Sequence, residues 1–338
     1  MRLLIIKRDK LGDLLLTRPV ITLLREALPS AEIHLLANDY NAWVARDHPA
    51  LARTWVYPRV RHAGRLRPVA ALRHLPLAWQ LRRERFDWAF VMGGDESHRA
   101  IQRAIATRAT RIVAYASVPA RYGARLTDPL APPAVGHELE RMVGLLAPLG
   151  LPSAPLSSPT IEIAPRARDF ATKWLAERKL RPAHFVVIGL GARRAKKQPT
   201  ADQVTRWSAR MFDESGIATV LMWTPGASDN PTYPGDDALA AQVLDRCVAY
   251  VHPFRGPIDE ALGLIFAART SIIPDSGLMH FAAASPGGVL GLFADPLDSA
   301  PASRWAPRGP RARHLEAPKR VAELADDVVL GALRPLLD

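Results

Sequence analysis

The chain has a single cysteine and no long apolar run, and each shortage excludes a class of protein. Cys247 is the only cysteine among 338 residues, so no internal disulfide or cysteine metal cage can form. No stretch reaches the roughly 18 apolar residues that a membrane-spanning helix requires. The first apolar run, from Leu3 to Ile6, is short enough to predict a strand rather than a signal peptide. We therefore expect a cytoplasmic protein without redox-active thiols.

Recognisable metal and cofactor motifs are also missing. The sequence contains no Asp-x-Asp or His-x-x-x-His pair, and Asp236-Asp237 lies in a Pro- and Gly-rich turn where solvation explains two adjacent acids. It lacks the Gly-x-Gly-x-x-Gly fingerprint of dinucleotide folds and the Walker motif. We expect no bound metal and no cofactor, so cations and helix ends would have to balance any phosphate charge.

Positive charge, by contrast, is abundant and concentrated in the first half. The net charge is +12, and residues 1–150 hold 23 Lys and Arg against 13 Asp and Glu. Eight arginines lie between Arg59 and Arg85, with one acid, Glu84, among them. This region is either a solvated Arg-rich surface or a site of attraction to a polyanion. Because arginine suits phosphate and carboxylate, and no nucleic-acid module accompanies it, we expect an acidic glycolipid or an anionic membrane surface and no nucleic acid.

Short apolar runs alternate with helix-period segments along the whole chain, which predicts βα units, parallel sheets and an α/β fold. Four prolines and three serines between 147 and 159 indicate a linker. The expected division is a domain at 1–150, a linker at 151–160, a domain at 161–317 and a final segment at 318–338 whose helix packs back on the first domain. Two Rossmann-like, doubly wound domains would then face a central cleft at their strand carboxyl ends.

One candidate for chemistry follows the first predicted strand. Asp13 comes after Gly12 at the expected start of a helix, where an aspartate is first of all an N-cap. The same position lies at the carboxyl end of a strand, where a ligand cleft is expected. A helix N-terminus keeps the carboxylate ionised, which suits proton abstraction from an alcohol. Capping and general-base catalysis both remain open from the residues alone.

Two further segments suit phosphate binding. The loop from Gly189 to Thr200 carries four cations that can wrap a diphosphate, although it can also be a flexible basic loop. Residues 275–280 lead from a buried strand into an Ala-rich helix whose free N–H groups suit a phosphate, although they can also be a simple cap followed by a packed histidine. The candidate phosphate ligands are Arg194, Lys196, Lys197, Asp275, Ser276, Gly277, Leu278 and His280.

Taken together, these segments resemble glycosyltransferase family nine, the ADP-heptose:lipopolysaccharide heptosyltransferases. The resemblance runs over most of the chain. It rests on Lys10-Leu11-Gly12-Asp13, the loop from Gly191 to Pro199, Asp275-Ser276-Gly277-Leu278-Met279-His280 with its Ala triplet, Leu292-Phe293, Asp295-Pro296 and Trp305-Ala306-Pro307.

The resemblance implies a GT-B architecture with an acceptor-binding first domain and a donor-binding second domain. It implies inverting, metal-independent transfer of heptose from ADP-L-glycero-D-manno-heptose to an acidic lipid A core, at the cytoplasmic face of the inner membrane. Asp13 matches the family's proposed general base, Lys196 matches the lysine that contacts the diphosphate, and 275–277 match the segment that binds the donor phosphates. Candidates for binding the acidic acceptor are Lys10, Arg59, Arg61, Arg65 and Arg67.

The chain also departs from the family pattern. Gln198 replaces the tryptophan of a Lys-Arg-Trp-Pro loop, Ala294 replaces the glycine of Phe-Gly, and Asp229 is only a candidate for the acid that recognises the donor ribose. Alternatives therefore remain: another nucleotide sugar or acceptor glycan, or a non-catalytic, membrane-associated scaffold that binds nucleotide. The residues also leave open which of Lys196 and Lys197 is the main phosphate contact.

Overall fold

The computed structural model describes residues 1–59, 61–62, 65–66, 73–151, 155–230, 234–246, 249–297 and 301–338, with the backbone alone at 61–62 and 65–66. Contacts divide the chain into two compact units, Met1–Pro159 and Thr160–Asp338. The division falls at the end of the Pro- and Ser-rich segment.

The first unit is built on a six-stranded sheet with the order β3-β2-β1-β6-β7-β8, and all its strand pairs are parallel. A two-stranded hairpin, β4-β5, is separate from it. The elements are β1 Arg2–Ile6, α1 Leu11–Ala27, β2 Glu32–Asn38, β3 Arg53–Tyr57, β4 Arg61–His62, β5 Arg65–Leu66, α2 His74–Arg83, β6 Trp88–Val91, α3 His98–Thr107, β7 Arg111–Tyr115, β8 Asp128–Leu130 and α4 Glu138–Gly144, with 3-10 turns at Ala42–Val44, Pro119–Arg125 and Ala147–Leu149.

The second unit repeats this arrangement. Its six parallel strands have the order β11-β10-β9-β12-β13-β14. The elements are α5 Pro165–Glu177, β9 Phe185–Gly189, α6 Ala201–Ser215, β10 Ala218–Met222, α7 Asp237–Leu244, β11 Val251–Phe254, α8 Ile258–Ala267, β12 Thr270–Pro274, α9 Gly277–Ala283, β13 Val289–Phe293, α10 Ala302–Trp305, β14 Ala312–Glu316 and α11 Asp326–Leu337, with 3-10 turns at Ala195–Lys197 and Val321–Glu323.

Both sheets have the strand order of a doubly wound fold, in which the chain reverses its direction of travel between the first and fourth strands. In the first unit those neighbours are β1 and β6, and in the second they are β9 and β12. The central strands are buried on both faces, as Leu3 to Ile6 illustrate with no exposed surface. The predicted α/β class with two doubly wound sheets is confirmed, and each sheet has one switch point where ligands of such folds bind.

The C-terminal helix corrects one expectation. Sequence analysis places it against the first domain, but Val329, Leu333 and Leu336 of α11 lie in the apolar core of the second unit, together with Trp207 of α6. The side-chain amide of Gln203 in α6 also donates to the carbonyl of Leu324 at 2.9 Å. The apolar face of α11 is therefore covered within the second unit, to which the helix itself belongs.

Candidate functional site

At the first switch point, the segment after β1 holds a buried cation among carboxylates. The Lys7 side chain has no exposed surface, and its Nζ lies 3.2 Å from Oδ2 of Asp9. Burial lowers the pKa of Lys7, but Asp9, Asp13 and Glu138 outweigh that effect, so the pKa lies above its ordinary value. Lys7 is therefore charged at neutral pH, and this lysine was not among the predicted site residues.

Asp13 lies in the first turn of α1 and is not its N-cap. The helix begins at Leu11 with Lys10 as N-cap, and Oδ2 of Asp13 accepts a hydrogen bond from the backbone N–H of Lys10 at 3.1 Å. Burial raises the pKa of Asp13 above its ordinary value, while the charge of Lys7 acts in the opposite direction. Asp13 is thus a carboxylate whose basicity is increased, at a strand end where ligands bind.

Helix α4 fixes the loop that follows β6, on the other side of the same switch point. Oε1 of Glu138 accepts from the N–H of Gly94 at 2.7 Å, and Nη1 of Arg141 donates to the carbonyl of Gly94 and to Oδ1 of Asp95, each at 3.0 Å. A Cβ atom on Gly94 would lie 2.2 Å from Oε2 of Glu138, so a larger residue would displace this carboxylate. Glu138 therefore holds the loop after β6, and its charge also acts on Lys7 after β1.

At the second switch point, the loop after β9 and the residue after β12 meet. Nζ of Lys197 pairs with Oδ2 of Asp275, and both side chains are nearly nine-tenths buried. Ser276 is the N-cap residue of α9, and its hydroxyl is buried without a hydrogen-bond partner in the described part of the chain. A cation and an unused hydroxyl therefore lie together where a doubly wound sheet binds phosphates.

The side-chain amide of Gln198 holds the basic loop after β9 in place. Its amide donates to the carbonyl of Leu190 at 3.1 Å and to Oδ1 of Asp236, whose Oδ2 accepts from the N–H of Thr224 at 3.0 Å. Burial raises the pKa of Asp236. Solvation in a turn, the sequence interpretation of Asp236, is therefore wrong, because this carboxylate is buried and joins the loops after β9 and β10.

The other predicted phosphate ligands differ in placement. His280 is buried in α9, with its ring centroid 6.4 Å from that of Trp305. Gly277 is the first residue of α9, and Leu278 is half-buried. Lys196 is half-buried, whereas Arg194 is exposed. The ribose candidate Asp229 is also exposed.

The acceptor candidates are only partly described. Arg59 pairs with Oδ1 of Asp39 at 3.0 Å, and its Cζ lies 4.6 Å from the ring centroid of Tyr40. Lys10 is exposed beside Asp13. Arg61 and Arg65 lie in the hairpin, where the side chains are outside the description, and Arg67 lies outside the described residues altogether. Arg59 and Lys10 are therefore the members of this set whose surroundings are known.

One group in the described residues could offer ligand atoms to a metal. Glu32, His34 and Glu84 bring one ligand atom each to within 4.8 Å of one another. Arg2 already binds Glu32 at 2.9 Å and lies 3.6 Å from Glu84. Glu32 begins β2, so this group lies at the amino end of the sheet, away from the switch point.

No helix in the described ranges has the length and apolar character needed to span a bilayer.

Comparison with known proteins identifies what the chain resembles. Residues 75–323 match the profile of glycosyltransferase family 9 (heptosyltransferase). A family 9 glycosyltransferase from Veillonella parvula DSM 2008 is 18% identical, with 99% of this chain and 97% of that chain covered and a TM-score of 0.82. No curated protein sequence matched the chain.

Two solved Escherichia coli enzymes have the same fold. ADP-heptose lps heptosyltransferase II is 20% identical, with 100% and 98% of the two chains covered and a TM-score of 0.71. Heptosyltransferase WaaC with ADP is 18% identical, with 99% and 100% covered and a TM-score of 0.74. At such identities the likeness shows the fold, which is the GT-B architecture expected from the sequence.

Proposed function

The chain belongs to glycosyltransferase family 9 and is a glycosyltransferase, and we propose that it transfers heptose from ADP-L-glycero-D-manno-heptose to an acidic lipid A core acceptor. Solved structures of the similar enzyme WaaC contain ADP or ADP-2-deoxy-2-fluoro heptose, which supports an ADP-sugar as the donor of this protein. The positive charge of the first half supports an acidic acceptor presented at the cytoplasmic face of the inner membrane, where the protein would bind peripherally.

The proposed reaction inverts the configuration at the anomeric carbon and uses Asp13 as general base. The acceptor hydroxyl loses its proton to Asp13 as its oxygen bonds to the anomeric carbon. The bond from that carbon to the diphosphate oxygen breaks, and its electron pair leaves with ADP. The raised pKa of Asp13 supports this role, because a more basic carboxylate is a better proton acceptor. This half-buried carboxylate with a raised pKa, at a strand end, is the observation on which the mechanism rests.

Lys197 is the proposed main contact of the donor diphosphate. Its ammonium is held beside β12 by Asp275, next to the unused hydroxyl of Ser276. An ammonium and a hydroxyl that donate hydrogen bonds to the diphosphate would stabilise the negative charge that develops on departing ADP, without a metal ion. The pairing with Asp275 supports Lys197 over Lys196, since it fixes the cation at the switch point.

Replacing Lys197 by methionine is expected to weaken ADP binding by about 10- to 100-fold, because a charge-assisted hydrogen bond is lost. Isothermal titration calorimetry with ADP measures the change. Lys196→Met is the matched control, with the same substitution one residue earlier. A large loss in Lys196→Met with normal affinity in Lys197→Met would reverse the assignment.

Release of ADP tests the function as a whole. Purified protein is incubated with ADP-heptose, with and without a lipid A acceptor that carries an acidic core sugar, and ADP is measured by a coupled assay. Release that depends on acceptor supports the proposal. Binding of ADP-heptose without release of ADP in the presence of any core acceptor would favour the non-catalytic scaffold. Release of nucleotide only when a different nucleotide sugar is supplied would change the assignment of the donor.

A further inference from the structure

A cavity of about 480 Å³ lies within the first unit, between α2 and α3. It reaches Leu36 of β2 and Tyr57 at the end of β3, and Leu77, Ala78 and Leu81 of α2 form its apolar side. This volume is within the range of about 300–1,000 Å³ that small-molecule sites occupy. None of the residues assigned to Asp13 chemistry or to donor binding lines it, so the cavity is separate from the sites described above.

The charged groups of the cavity all have one sign. Arg99 and Arg103 of α3 line it, and among the described residues no carboxylate pairs with either of them. The described lining residues include no acid. An anion is therefore the ligand charge that this cavity would favour.

The guanidinium of Arg103 lies against an aromatic ring and is partly desolvated. Its Cζ lies 4.2 Å from the ring centroid of Tyr57, so the guanidinium is held against an aromatic face. Burial lowers the pKa of Arg103, because the charged form has lost part of its hydration. A bound anion would compensate for that loss through charge-assisted hydrogen bonds.

The topology places the first turns of both helices at one edge of the sheet. Helix α3 follows the carboxyl end of β6, so its first turn, with His98 and Arg99, lies at that edge of the sheet. Helix α2 leads into β6, so its first residue, His74, lies at the same edge. Arg82 lies toward the other end, where its Nε donates to the carbonyl of Ala106 at 2.7 Å. An amphiphile would therefore enter with its anionic group at the carboxyl edge.

We propose that this cavity binds one alkyl chain of an anionic membrane lipid and that Arg99 and Arg103 hold its head group. The apolar side between the helices fits a chain, and the unbalanced arginines fit a phosphate better than a neutral group or another protein surface. Leu75, which also lines the cavity, is 73% exposed, so a large apolar side chain lies at the surface beside the site. The site acts without donor nucleotide, so it goes beyond the proposed transfer reaction.

Binding of dodecyl phosphate, measured by isothermal titration calorimetry below its micellar concentration, tests the site. Saturable binding is expected, about tenfold or more tighter than that of dodecyl maltoside, whose head group is neutral. Ala78→Phe, which fills the cavity, is expected to weaken binding of both probes by at least about tenfold. Arg99→Gln is expected to weaken binding of dodecyl phosphate alone. Equal affinity for the two probes in the wild-type protein would overturn the proposal.

Matched controls separate the cavity from general effects. Ala176→Phe adds the same ring to an exposed position on α5, and Arg46→Gln removes an exposed arginine of the first unit. Both are expected to leave binding unchanged, and thermal melts confirm that each variant is folded. Unchanged binding in Ala78→Phe, or a dimer in sedimentation that Ala78→Phe dissociates, would contradict the lipid assignment.

Vesicles distinguish a membrane lipid from a free alkyl phosphate. The wild-type protein is expected to float with phosphatidylglycerol vesicles and not with phosphatidylcholine vesicles, and Ala78→Phe is expected to float less than wild type. If dodecyl phosphate binds but Ala78→Phe floats with vesicles as well as the wild type does, the ligand of the cavity is not a membrane lipid.

Discussion

Replacing Asp13 by asparagine is expected to lower the turnover number for sugar transfer by about 10²- to 10⁴-fold, the range of general-base catalysis. ADP affinity should not change, because the residues that we propose for binding the donor phosphates lie in the other unit. Asparagine keeps an oxygen that can accept from the N–H of Lys10, and it removes a charge that burial disfavours, so the melting temperature should not fall. Acceptor-dependent ADP release and ADP titration measure the two effects.

The pH dependence of the wild-type enzyme follows from the same carboxylate. A general base must be deprotonated, so kcat/KM should rise with pH and level off above the pKa of Asp13. Because that pKa is raised, the acid limb should lie at higher pH than an ordinary aspartate would give. Asp47→Asn, at an exposed aspartate of the same unit, is the matched control. Normal turnover in Asp13→Asn would remove Asp13 from the mechanism.

Replacing Lys7 by methionine is expected to destabilise the protein by about 3 kcal/mol and to move the acid limb of the rate to higher pH. Losing one partner of a buried ion pair costs about 3–5 kcal/mol, and the lower end applies because Asp9 is partly exposed. Without the ammonium, the largest effect that lowers the pKa of Asp13 is lost, so that pKa should rise further. Urea denaturation at neutral pH and the rate profile measure the two effects.

The sign of the pH effect on stability distinguishes this interaction from a surface ion pair. The folded-state pKa of Lys7 is raised, so its contribution is present in full below the unfolded pKa of about 10.5 and is lost as pH rises through the folded value. Lys173→Met, at an exposed lysine of α5, is the matched control and should change stability little. A loss in Lys7→Met no larger than in Lys173→Met, with an unmoved rate profile, would contradict the role of Lys7.

The sequence predicts the central strands and helices well because their signal is local. β9 and β13 begin and end where the apolar runs do, since each is fully buried. The edge strands β8 and β14 are not predicted by an apolar pattern, because polar residues such as Asp128 and Arg313 interrupt any apolar run. Edge strands owe their existence to hydrogen bonds with a neighbour rather than to their own pattern.

Candidate residues were predictable where a short motif surrounds them, and not where distant parts of the chain create the environment. Asp13 and residues 275–277 follow apolar strands, so their position at the edge of a sheet can be predicted from the sequence. Lys7 reads as the end of an apolar run, and its burial depends on α4, where Sδ of Met142 lies 3.7 Å from its Nζ. Nothing local to Gln198 shows that its amide will reach Asp236.

The strand order of the two sheets has a consequence for how the protein folds. At each switch point the neighbouring strands are roughly 85 residues apart in the chain, as the pairs Leu3 with Trp88 and Val186 with Thr270 show. Bringing such distant segments together costs loop-closure entropy before any contact rewards it, so parallel pairing of this kind is slow. On the ribosome, neither switch point can form until the fourth strand of its sheet, β6 or β12, has emerged. The switch point of the first unit can therefore form while the second unit is still being synthesised.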